Sequence, residues 1–162
     1  MLDQRLKDKP LICNVYFSFD KELDLVAGST IQQNFFDALP PDTFQSVYVS
    51  RSKTQFRETL QETPAGNVFQ QQVSISMPRS DYNRSEKINQ ILKARYIFLQ
   101  LNNGRIIVVG RNDFKQNKKM SCRFSSDHHN ADFRFTNRSI FPAGYTHLEG
   151  LGFPYQIPTT TP

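Results

Sequence analysis

The chain has 162 residues, 38% of them hydrophobic, with 14 Phe and 6 Tyr but no Trp, so one domain with a core of Phe, Ile, Leu and Val is expected. The net charge of +5 is unevenly placed: residues 1–78 carry seven Lys/Arg against nine Asp/Glu, residues 79–123 eleven against three, and residues 124–162 two against three, so the basic character belongs to the middle. No apolar run approaches the roughly 20 residues a membrane helix needs, and Met1-Leu2-Asp3-Gln4-Arg5-Leu6 lacks the apolar core of a signal peptide; a protein made and kept, or assembled, in a cytosol is expected. In that compartment Cys13 and Cys122 are expected as free, buried thiols.

Residues 1–10 read as a polar lead-in ending at Pro10. Leu11 to Asp20 alternates, with Cys13, Val15, Phe17 and Phe19 on one face and Asn14, Tyr16, Ser18 and Asp20 on the other, the pattern of a half-buried strand. Residues 21–43 leave alternatives open: Leu23 to Val26 as a short strand, Gly28-Ser29 as a turn, and Ile31 to Leu39 as a helical turn or a loop stopped by Pro40-Pro41. From Thr43 the pattern is strand-like, with Val47 and Val49 against Tyr48. A polar strand around Gln55 to Gln61, a turn at Pro64-Ala65-Gly66-Asn67 and a second strand from Val68 to Met77 predict a long hairpin over 53–77, with one wet face able to protrude and touch a neighbour. Gln71 falls on that hairpin's apolar face and needs a partner or an edge position.

Pro78 stops the strand, and Ser85 is a candidate cap for a short helix with Ile88, Ile91 and Leu92 on one side. Two apolar runs, Tyr96 to Leu101 and Ile106 to Val109, flank Asn102-Asn103-Gly104, and Asn-Gly predicts a hairpin with a type I′ turn. The second run is apolar at consecutive positions, so both its faces require cover from a second sheet, a helix or a neighbouring subunit. After a polar loop from Arg111 to Lys119, Met120, Cys122 and Phe124 alternate with polar residues, as do Phe133 and Phe135, with Ser126 to Ala131 connecting. From Phe141 the chain is rich in Pro, Gly and Thr, with apolar beads at Leu148, Leu151, Phe153, Tyr155 and Ile157. The expectation is a mainly β fold, an antiparallel β-sandwich or open barrel of about seven to nine strands with one short α-helix. A β-domain over 11–145 would be followed by an arm over 146–162.

Chemistry-bearing patterns are sparse. Asp127-His128-His129-Asn130-Ala131-Asp132 alone has metal-ligand residue types, but adjacent histidines on a strand point apart and His147 is distant in sequence, so a solvated turn is the simpler reading. Nucleophile motifs and Gly-rich phosphate loops are absent, and an enzyme is not expected. A weaker alternative is a small enzyme or metal protein using His128 and His129. The sharper signal is the basic middle: Lys87, Lys93, Arg95, Arg105, Arg111, Lys115, Lys118, Lys119 and Arg123 could line one side and, with an exposed Tyr96 or Phe98, track phosphates and stack bases. A solvated face is the ordinary alternative.

The succession of a strand ending in Pro78, a short helix, Arg95-Tyr96-Ile97 opening a hairpin, Asn102-Asn103-Gly104, Ile107 to Gly110, a polar loop, and Asp132-Phe133-Arg134-Phe135 closing on Pro142-Ala143 resembles small structural proteins of the tail and neck modules of tailed phages and prophages of Bacteroidetes, including crAss-like phages. The resemblance covers roughly residues 44–145. It implies a tail-tube-like, non-enzymatic virion component, without cofactor or metal. Such proteins form hexameric or dodecameric rings around the DNA channel, against neighbouring ring or portal proteins, after assembly in the host cytoplasm. Under it the 53–77 hairpin (Gln55, Phe56, Gln70, Gln72) and the 141–162 arm (Leu151, Phe153, Tyr155) are expected to make subunit contacts. Arg105, Arg111, Lys115, Lys118 and Lys119 would face genomic DNA or an acidic partner. A departure is Asp127-His128-His129-Asn130, where the resemblance would place a glycine-bearing turn. The alternative is a small β-barrel that binds single-stranded nucleic acid through residues 79–123.

Overall fold

The hairpin that the apolar runs predict lies at the middle of the larger sheet, formed by β5 (Tyr96–Leu101) and β6 (Arg105–Val109). The Gly104 N–H donates to the Leu101 carbonyl at 3.1 Å, and Gly104 adopts φ +83°. Pairing of Gln100 with Ile106 leaves Asn102-Asn103-Gly104 as a three-residue loop with the glycine in the left-handed region, where the sequence led us to expect a two-residue type I′ turn. The asparagine side chains tie the loop down: Asn103 Oδ1 accepts the Arg105 N–H at 3.1 Å, and Asn102 Oδ1 accepts the Leu11 N–H at 3.2 Å.

The structure, a computed structural model, describes residues 11–19, 44–78, 83–110 and 119–147. Within them the remaining elements are β1 (Ile12–Ser18), β2 (Phe44–Ser46), β3 (Gln55–Thr63), β4 (Gly66–Pro78), α1 (Arg84–Leu92), β7 (Ser121–Ser126), β8 (Asn130–Ser139) and β9 (Gly144–His147). One sheet has five strands in the order β2-β1-β5-β6-β9, the other four in the order β3-β4-β8-β7, and every pairing is antiparallel. This is the mainly β, two-sheet architecture with a single short helix that the alternating pattern predicts.

The core lies between the sheets. Val15, Phe17, Ile97, Leu99, Ile107 and Val109 on one side meet Val73, Ile75, Met77, Phe133 and Phe135 on the other, and the Phe17 and Phe135 ring centroids are 6.3 Å apart. Helix α1 contributes Ile91, with Ile88 and Leu92 packed at its margin, as the i, i+3, i+4 spacing predicts. Its first turn begins at Asn83, two residues before the expected Ser85 cap, and no side chain caps it. The amide of Lys87 closes the turn on the Asn83 carbonyl instead.

Three expectations are corrected. First, β1 is buried on both faces over its second half: Tyr16 and Ser18, opposite the core face, are buried as Val15 and Phe17 are, while Ile12, Cys13 and Asn14 are half-buried. Second, the 53–77 hairpin does not stand free. Its second arm pairs with β8 from Phe69 to Pro78, because the alternation of β4 offers an apolar face to the core and backbone to strands on both sides; only the tip around residues 61–68 runs past β8. Third, β9 pairs with β6 and carries the β-domain through 147, past the expected boundary at 145; a four-residue strand behind Pro142 is too short for a period to be read. The expectations for residues 1–10, 21–43 and the arm beyond 147 lie outside the described residues.

Candidate functional site

In β4 and β8 alternate residues enter the core, so the intervening ones form the outer face of the four-stranded sheet. The registers align Gln55, Ser74, Arg134 and Arg123 in one row across all four strands, and Arg57, Gln72, Thr136 and Ser121 in the next. A third row places Thr59, Gln70 and Arg138 side by side, while Ser76, Asp132 and Ser125 flank the first row on its other side. Arg57, Arg123, Arg134 and Arg138 are all exposed, and Asp132 is the single carboxylate among these outward positions. Arg123 and Arg134 face each other directly, Cα atoms about 5 Å apart. Like charges in that position repel, and among the described residues no carboxylate pairs with either.

A depression of about 470 Å3 opens on this face, bordered by Lys53, Arg123, Arg134 and Asp132, with Ser74, Ser76 and Ser125 in its lining and Phe124 at its edge. Lys53 is placed there by the 3-10 turn Arg51–Lys53, anchored where the Ser50 N–H donates to the Ser76 carbonyl at 2.8 Å. The Ser76 hydroxyl is buried and has no hydrogen-bond partner.

A second concavity, a groove of about 840 Å3, runs along β3 and the start of β1. Ile12, Phe56, Leu101 and Ile107 give it an apolar lining, and Arg51 and Arg57 are its charged side chains. Beside it β3 is an edge strand, hydrogen-bonded through nine residues to β4 and to no other strand among the described residues.

The residues singled out from sequence scatter. Of the expected DNA-facing set, Arg111, Lys115 and Lys118 lie outside the described residues; Arg105 is exposed at the start of β6 in the other sheet; and the Lys119 ammonium donates to the Leu92 carbonyl at the C-terminus of α1. Among the described residues of the basic segment no single stripe forms, because Arg105 lies on β6 in one sheet and Arg123 on β7 in the other. Tyr96 and Phe98 are fully buried, so neither serves as the exposed stacking platform that the single-strand reading required. Among the expected contact residues, Gln55 is exposed and Phe56 half-buried on the edge strand β3, whereas Gln70 and Gln72 are half-buried on β4 within the arginine-bearing face. Leu151, Phe153 and Tyr155 lie outside the described residues.

His128 and His129 occupy the exposed turn between β7 and β8. The Asp127 carboxylate accepts the backbone N–H groups of Asn130 and His129, each at 2.7 Å, and these bonds hold its pKa below the ordinary carboxylate range. Cys13 and Cys122 are free, and burial pushes the Cys122 thiol up although Lys119 opposes the shift. Among the described residues no three His, Cys, Asp or Glu side chains converge, and no helix is long and apolar enough to cross a membrane.

Arg57, Arg134 and Arg138 escaped the sequence reading because they fall outside the basic segment, all three within stretches of net negative charge. The available signal for Arg134 and Arg138 was their position between the apolar residues of β8. No family model, curated protein or solved structure matches the chain.

Proposed function

We propose that the chain is a non-enzymatic structural subunit of a tailed-phage virion that assembles into a ring in the tail or neck, around the DNA channel. The observation that carries this reading is the edge of β3, unpaired among the described residues, beside the 840 Å3 groove. A nine-residue strand with one edge unpaired among the described residues offers a row of backbone donors and acceptors for strand addition, and the apolar lining next to it offers side-chain pockets. Leu60 stands half exposed on the same strand, an apolar side chain that a neighbour would cover. The two-sheet fold agrees with the tail-tube-like architecture that the resemblance implies, and a closed ring pairs one such edge with a different surface on the next copy. The β5–β6 spine does not drive assembly, because both its faces are buried in the single chain.

Light scattering across a concentration series, with micrographs of the purified chain and of virions, tests the reading. A discrete oligomer and ring-shaped particles are expected, and Leu60→Lys, which puts a charge on the edge without touching the core, is expected to shift the mass toward the monomer. A strict monomer at high concentration together with virions lacking such a ring would sink the proposal.

A further inference from the structure

We propose that the outer face of the four-stranded sheet is a phosphate-backbone contact for double-stranded DNA, with the depression between Lys53, Arg123 and Arg134 as its principal phosphate subsite. The inference deepens the ring reading, on which the orientation of this face toward the channel rests; the affinity of the face for DNA does not depend on ring formation.

Two independent features of the depression point to an anion. The first is cationic excess held against repulsion: Arg123 and Arg134 are directly opposed across the β7–β8 ladder, Lys53 closes the third side, and Asp132 is the one acid on the rim. A phosphate placed between the guanidinium groups converts that repulsion into two charge-assisted hydrogen-bonding contacts. The second is the Ser76 hydroxyl, 2% exposed and unpartnered, in the lining of the depression. A buried hydroxyl without a partner is unfavourable, and a phosphate oxygen would satisfy it.

The surroundings select a polymer over a single phosphate. Arg138 stands four residues beyond Arg134 on β8, about 13 Å at strand rise, too far for both to hold the same phosphate. Arg57 lies in the adjacent row, two strands away, so the cations spread over a sheet instead of closing on one small ligand. The other outward positions are Gln55, Thr59, Gln70, Gln72, Ser74, Thr136 and Ser121, short donors and acceptors suited to sugar and phosphate oxygens. No outward position in the three rows is aromatic or a large aliphatic, which disfavours single-strand stacking and insertion into a lipid surface. Phe124 is the exposed aromatic at the margin, and its ring packs on Phe133 at 5.0 Å between centroids.

The test is anisotropy titration of the full chain against a labelled random-sequence duplex over a salt series, with a matching single strand, anionic phosphatidylglycerol vesicles and inorganic phosphate as parallel probes. The unaltered chain is expected to bind duplex of any sequence, with log affinity falling against log salt at a slope of about −3 for three neutralised phosphates, one in the depression and one each at Arg57 and Arg138. The Arg123→Gln/Arg134→Gln variant should lose at least about tenfold in affinity at low salt and about one unit of slope, that of the one phosphate the pair holds. Ser76→Ala is expected to weaken binding with the slope unchanged, and Arg105→Gln, on the other sheet, to bind as the unaltered chain does. Equal binding by the double variant, tighter binding to single strand or vesicles, or competition by inorganic phosphate with no measurable duplex binding each overturns the proposal. Rings that persist in the double variant after duplex binding is lost leave assembly standing. Rings formed by an unaltered chain that binds no duplex overturn the DNA face alone.

Discussion

The Gln71 side-chain amide donates to the Glu58 carboxylate at 3.0 Å, directly across the β3–β4 register, on the face that otherwise carries the core residues Val73, Ile75 and Met77. Asn137, opposite Gln71 on β8, donates to the Gln71 carbonyl oxygen at 3.0 Å, and Glu58 also accepts the Ala143 N–H at 2.7 Å. A polar ladder thus crosses three strands and ties in the approach to β9. It answers the requirement set by an uncharged polar residue on an apolar strand face.

Removing a rung leaves its partners unsatisfied beside the core. Gln71→Ala is expected to lower stability by about 1–3 kcal/mol, and a double-mutant cycle with Glu58→Ala to show a coupling of about 0.5–3 kcal/mol. Urea unfolding of the four chains measures both, and additive losses would show that the ladder is not one unit.

Gly110 lies where β6 ends against the start of β5. A Cβ there would stand 2.5 Å from the Arg95 carbonyl oxygen, and the residue has φ +126°. Gly66 in the β3–β4 turn has a similar φ of +121° but open space around it. Gly66→Ala is expected to lose the conformational term alone, about 1–3 kcal/mol, and Gly110→Ala more than that, since backbone must move as well. Comparable midpoints in denaturant for the two variants would contradict the packing argument.

Lys119 was expected to face DNA, yet its ammonium sits on the Leu92 carbonyl at the C-terminus of α1. Lys119→Gln is expected to lower stability by about 0.3–1 kcal/mol through the helix dipole and to leave the salt slope of duplex binding unchanged. A drop in slope near that of the Arg123→Gln/Arg134→Gln variant would return Lys119 to the binding face.

The Asp127 carboxyl has its affinity for protons lowered in the folded chain by the Asn130 and His129 amides. Its contribution is therefore present above the unfolded aspartate value of about 3.9 and lost as pH falls through the lower folded value. An NMR titration should show Asp127 protonating below that value, with the His129 and Asn130 amide shifts following the same curve. Asp127→Asn, which keeps an acceptor without the charge, should abolish the pH-dependent part.

How much of this was legible follows element by element. The alternation in β1, β4 and β8, the continuous run in β6 and the glycine after two asparagines suffice for the strands, the hairpin and the choice of which side chains meet in the core, because a period of two sorts side chains by face regardless of the rest of the fold. The same rule marked Gln71 as needing a partner. It could not separate a solvated outer face from a covered one: Tyr96 and Phe98 have the parity of a surface but are buried, whereas Arg134 and Arg138 have the same kind of parity and are exposed.

The sequence by itself determined the β class, the faces of most strands and the central hairpin, since these depend on neighbours one to four residues away. Only the tertiary structure decided the order β3-β4-β8-β7, and with it the meeting of Lys53, Arg57, Arg123, Arg134 and Arg138 on one sheet. Strand order depends on pairings between residues up to about a whole domain apart, whose backbone hydrogen bonds are the same for any sequence; what selects them is the joint burial of both sheets' apolar faces, which no local pattern carries.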